Sequence, residues 1–61
     1  MKFEGKFVGV INTEAYYEIE VDQEDGTILA YTVSASDIRW LNRMNKSKWE
    51  VKHFAKSVRE I

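Results

Sequence analysis

The sequence predicts a small α+β domain: a curled three-stranded antiparallel β-meander, then a helix, then a C-terminal segment that reads as a second helix. Three observations carry that expectation. The first half of the chain alternates apolar and polar residues at the two-residue period of strands. The second half changes to the spacing of helices. A glycine-containing turn joins the two clearest strands.

KFEGKFVGVI, residues 2–11, is the first expected strand. Phe3, Phe7 and Ile11 recur on one side, and Gly5 and Gly9 allow the strand to bend as the sheet curls. YYEIEVD, residues 16–22, alternates cleanly, with Tyr17, Ile19 and Val21 opposite Glu18, Glu20 and Asp22. TILAYTV, residues 27–33, follows with Leu29, Tyr31 and Val33 as its bulkier face.

The connection QEDGT decides how the second and third strands meet. A two-residue Asp25-Gly26 turn sets Val21 beside Ala30 and leaves Leu29 and Tyr31 on the acidic side. A three-residue loop, Glu24-Asp25-Gly26 with Gly26 left-handed in a bulge, pairs Val21 with Leu29, Ile19 with Tyr31 and Tyr17 with Val33. The second register gathers all six bulky side chains on one face, so burial of apolar area favours it.

SASDIRWLNRMN, residues 34–45, opens with capping residues: Ser34 with Asp37 three positions later, or Ser36 directly. Ile38, Leu41 and Met44 recur at helical spacing with Trp40 at their edge. Arg39, Arg43 and Lys46 lie opposite, and Asn45 suits a helix end, so a helix is expected over about 35–45. The core expected from these elements is Tyr17, Ile19, Val21, Leu29, Tyr31, Ile38 and Leu41.

The closing stretch SKWEVKHFAKSVREI has two readings. As a helix over 48–60, Ser47 caps it and Glu50 completes a capping box. Val51, Phe54, Ala55, Val58 and Ile61 then share one arc, Lys48, Lys52, Lys56 and Arg59 form a stripe beside it, and Trp49 and His53 fall opposite. As strands, WEVKHF puts Trp49, Val51 and His53 on one face, and C-terminal strands close a small barrel of the oligonucleotide-binding or SH3-like type.

At 61 residues the chain forms one domain, residues 1–61, with a small core. It has no cysteine, so neither a disulfide nor a thiolate zinc site supports it. An apolar share of 44% and eight aromatic residues are those of a folded protein. Charges at Lys2, Glu4 and Lys6 interrupt any signal-like run and no stretch is long and apolar enough to span a membrane, so a soluble, cytoplasmic protein is expected. The net charge of −1 divides unevenly: residues 1–33 carry two cations and seven anions, residues 34–61 seven cations and three anions. Oppositely charged halves attract each other in one fold, or each shows its face to a different partner.

No catalytic constellation is present. His53 is the only histidine, there is no thiol, and the serines sit in no nucleophile elbow. Glu18 and Glu20 share a face, but an open sheet surface offers no cleft to separate their pKa values. The expectation is therefore not an enzyme, with no cofactor and no metal. What remains is a binding module, read first as a protein-binding regulator or inhibitor, a format that suits a phage or mobile-element accessory protein. Its candidate partner-binding residues are Trp49, His53, Lys48, Lys52, Lys56, Arg39 and Arg43, with Val8, Val10 and Ile28 on the outward sheet face. That apolar outward face also admits a homo-oligomer. A nucleic-acid binder using the basic, aromatic C-terminal half is the alternative, weakened by a pI near 5.7 and an acidic first half. A structural subunit of a larger assembly is the third reading.

Overall fold

The computed structural model describes residues 2–61. Strands β1 (Lys6–Ile11), β2 (Glu14–Asp22) and β3 (Ile28–Ser34) lead into helix α1 (Ala35–Arg43); a short 3-10 helix (Lys48–His53) and strand β4 (Ser57–Glu60) follow. The four strands form one antiparallel sheet in the order β1-β2-β3-β4. α1 lies over β2 and β3, and the 3-10 helix packs on β3.

β2 and β3 pair in the register that burial favours: Val21 with Leu29, Ile19 with Tyr31 and Tyr17 with Val33. The loop is the three-residue form. The Gln23 N–H donates to the Thr27 carbonyl at 2.8 Å, the Gly26 N–H to the Gln23 carbonyl at 3.1 Å, and Gly26 is left-handed at φ +91°. The Asp25 carboxylate tightens it by accepting from the Thr27 N–H and hydroxyl, at 3.0 and 2.7 Å.

The first strand departs from expectation. It begins at Lys6, and its register with β2 slips between Phe7 and Gly9, so a bulge falls at Val8. Phe3, Phe7 and Ile11 therefore do not share an environment: Phe3 is buried, while Phe7 and Ile11 are exposed. The Phe3 main chain is held by the Asn42 side chain, which accepts from the Phe3 N–H and donates to its carbonyl. Gly5 serves close approach, because a Cβ there would stand 2.8 Å from the Tyr17 Cβ. At the hairpin tip Asn12 and Thr13 both have positive φ, 50° and 66°, the two-residue turn whose twist matches the strands.

Ser34 caps α1, its hydroxyl accepting the Asp37 N–H at 3.2 Å. The helix ends at Arg43, short of residue 45. Asn45 is left-handed at φ 53°, the Lys46 N–H reaches the Leu41 carbonyl and the Asn45 N–H the Asn42 carbonyl, a Schellman ending. Met44 thus falls past the last turn and is exposed.

The second helix expected over 48–60 is corrected: only Lys48–His53 is helical, in 3-10 form, and Ser57–Glu60 is a strand on β3. The physical reason lies in the edge of β3. A continuous helix would leave that edge unpaired, whereas the strand satisfies it, with flanking bonds from the Lys56 N–H to Thr32 and the Ile61 N–H to Ile28. The apolar arc divides accordingly. Val51 is buried, Phe54 and Ala55 pack against the core, and Val58 and Ile61 are exposed. The strand alternative holds for Ser57–Glu60 but not for WEVKHF, and its barrel closure is corrected, since β4 and β1 lie at opposite edges of an open sheet.

Phe3, Ile19, Val21, Val33, Leu41 and Val51 form the core, with Tyr31, Ile38, Phe54 and Ala55 against it. Of the core residues expected, Ile19, Val21 and Leu41 are fully buried, while Tyr17, Leu29, Tyr31 and Ile38 are half-buried. Leu41→Ala should cost about 2–5 kcal/mol in urea unfolding, as large-to-small changes at buried sites do. Thr13→Gly should instead stabilise the domain by about 1 kcal/mol or less, since a β-branched residue held left-handed is relieved while a flexible glycine is introduced.

Candidate protein-binding cleft

A concavity lies where the 3-10 helix meets the β2–β3 loop. It is an open cleft of about 590 Å³. Leu29 and Tyr31 of β3 form its floor, Lys48, Trp49 and Lys52 one wall, and Glu24 and Asp25 of the loop the other. The 3-10 helix creates this arrangement. Its Val51 is fully buried, which anchors the turn to the sheet and leaves the neighbouring Trp49 to be carried at the cleft, 46% exposed. The Lys48 ammonium lies 5.2 Å from the Trp49 ring centroid, a cation–π contact that stiffens the ring at its rim.

The two walls carry opposite charge. Asp25 has its carboxyl pKa lowered from the ordinary value, first by the hydrogen bond from the Thr27 backbone and then by that from the Thr27 hydroxyl. It stands as an anion across from two lysines. The floor and Trp49 supply aromatic and apolar area. The cleft therefore combines apolar and aromatic area with side chains of both charges.

Only part of the expected partner-binding set converges here. Trp49, Lys48 and Lys52 come together. His53 is exposed at the end of the 3-10 helix, outside the cleft. Lys56 lies 5.9 Å from the Tyr16 ring, and Lys46 lies 5.5 Å from the Trp40 ring. Arg43 is exposed on α1. Arg39, also exposed, borders a second groove beside Gly5, Tyr17, Ala35 and Ile38. Val8 and Val10 are exposed on β1, at the opposite edge of the sheet from β4; the outward placement expected for Val10 is corrected, because the bulge at Val8 turns it to the side that α1 covers. Ile28 is half-buried beside Asp22. Tyr31, Glu24 and Asp25 were not among the candidates; the turn was legible, but nothing local indicated that a 3-10 helix would fold over it.

The outward face of the sheet is closed by charge. Arg59 of β4 reaches over β3 to Glu18 of β2, with Nε–Oε2 at 2.8 Å and Nη2–Oε1 at 3.0 Å. Beneath it Ala30, flanked in register by Glu20 and Arg59, is fully buried. This fork joins the acidic and basic halves of the chain. Glu14 makes a second junction, accepting the Ser36 hydroxyl at 2.6 Å.

Comparison with family models, with curated proteins and with solved structures finds no match to this chain. Among the described residues no group of three or more His, Cys, Asp or Glu side chains is placed to hold a metal ion, and no helix is long and apolar enough to cross a membrane.

The Arg59 guanidinium, by hydrogen bond first and charge second, lowers the Glu18 pKa from its ordinary 4.5. A carboxylate with a depressed folded pKa contributes stability that is fully present above the unfolded value and lost as pH falls through the folded one. Glu18→Gln should therefore lower the melting temperature at neutral pH, and its difference from the native chain should shrink as pH falls below 4.5. Thermal melts across pH check this; a difference that stays constant into acid excludes the fork as its source.

Proposed function

We propose that this chain is a small non-enzymatic protein-binding module that acts as a regulator or inhibitor by occupying a partner's surface. The observation that carries this reading is Trp49. The fold has Val51 to anchor the 3-10 helix, yet it keeps a large aromatic ring half-exposed at the rim of this cleft. Tryptophan is prominent among interface hot spots, and a cleft with an aromatic floor beside it is where such an anchor acts. Lys48 and Lys52 on one wall and Glu24 and Asp25 on the other fit a polypeptide segment, whose charges vary along its length.

A polyanion is less well served. The cations that follow one another in the sequence disperse: Lys46 to Trp40, Lys48 to Trp49, Lys56 to Tyr16 and Arg59 to Glu18. They make no continuous phosphate-tracking strip, and the acidic loop faces the two that remain in the cleft.

Capture from lysate of the native host with the full chain as bait, with and without nuclease, tests the reading. One protein should co-purify and survive nuclease treatment. Trp49→Ala should abolish its capture while leaving the circular dichroism spectrum unchanged, and replacing Lys48, Lys52 and Lys56 by glutamine should weaken it only modestly. Recovery of nucleic acid alone, lost at moderate salt, refutes the proposal.

A further inference from the structure

β1 is an edge strand, and apart from its bulge it carries little of what protects edges. It has no proline and a single charge, Lys6, at one end. Phe7 is 55% exposed and Val10 61%, and Val8 and Ile11 are exposed beside them. No strand among the described residues pairs with the outer side of β1. An open edge of this kind accepts a strand, and the pattern along β1 indicates which one.

The bulge is the informative feature. In a regular strand Phe7 and Val10, three residues apart, would point to opposite faces and turn their amides to opposite edges. The extra residue at Val8 cancels that difference. Phe7 pairs with Tyr17 and Val10 with Ala15, both on the face that α1 covers. Ile11 and Glu14 flank the two-residue turn and so form a hydrogen-bonded pair; alternation from there turns the backbone groups of Val10, and past the bulge those of Phe7, to the open edge. Phe7 and Val10 thus share one face and one edge.

We propose that the occupant of this edge is β1 of a second copy of this chain, antiparallel, with Phe7 opposite Val10 of the copy and Lys6 opposite its Ile11. The pairing is face-consistent at both positions. On the helix side it continues an apolar row, Tyr17–Phe7 of one protomer meeting Val10–Ala15 of the other, and the two-fold axis repeats it. On the outer side Lys6, flanked by its own Glu18, comes beside Ile11 of the copy, whose neighbour is Glu14. The lysine lies between carboxylates, and like charges do not meet. A single strand edge offers less than the roughly 800 Å² a partner buries in a standard stable interface, so the dimer is a reversible one. The Trp49 cleft lies beyond β2 and β3 from this edge and stays open in both protomers.

Sedimentation equilibrium of the full chain between low and high micromolar concentration tests the proposal. A monomer–dimer equilibrium is expected, weakened at least tenfold by Val10→Lys with the fold intact by circular dichroism. A second measurement reads the register. The chain has no cysteine, so an equimolar mixture of Lys6→Cys and Ile11→Cys chains should oxidise to a disulfide-linked heterodimer far faster than either chain alone gives a homodimer. A native chain that stays monomeric throughout, an association unchanged by Val10→Lys, or a mixture that cross-links no better than its components each overturns it. Trp49→Ala should leave the dimer untouched, so loss of partner capture through the cleft and loss of self-association are read separately.

Discussion

The pairing of β2 with β3 is the constraint on which the rest of this domain depends. Its register is set by one left-handed glycine at the end of a three-residue loop, where a residue with a Cβ would be strained. With that register Tyr17, Ile19 and Val21 stand beside Val33, Tyr31 and Leu29 and make one apolar face. A slip of one residue would place Glu18 and Glu20 toward α1 instead. Everything that covers the face, from α1 and the 3-10 helix to Phe3 before β1, is positioned by it.

A second constraint comes from size. A chain this short has little material for a second layer, so single residues do the work of elements. Phe3 enters the core outside any strand and is fixed by one asparagine side chain. Val51 alone seats the 3-10 helix, and that turn places Trp49 at the cleft. The proposed binding surface is thus a by-product of how the last fifteen residues close the core and then return to pair with β3.

The two edges of the sheet are treated differently. β4 is short and presents charged residues, and its Arg59 spans β3 to reach Glu18. β1 is apolar and bulged, and remains open. The asymmetry keeps the proposed self-pairing edge apart from the proposed protein-binding cleft.

Much of this was determined locally. The three-strand meander, the Glu24-Asp25-Gly26 loop, the Ser34 cap and the Asn45 helix ending follow from residue types whose backbone preferences or side-chain hydrogen bonds act within a few positions. The expected importance of Trp49 also came from the sequence, because periodicity left it without a place in the core. Three features were decided only by tertiary structure. The stretch from Ser47 to Ile61 carries a helical apolar arc, but the unpaired edge of β3 offers a strand hydrogen bonds that lie some thirty positions away in sequence, and that demand overrode local spacing. The bulge at Val8 slips the register of β1 against β2, so the exposure of Phe7 and Val10 was not legible in their alternation alone. The acidic wall of the cleft belongs to a loop brought beside Lys48 and Lys52 by folding, and long-range proximity of that kind leaves no periodic trace in a sequence.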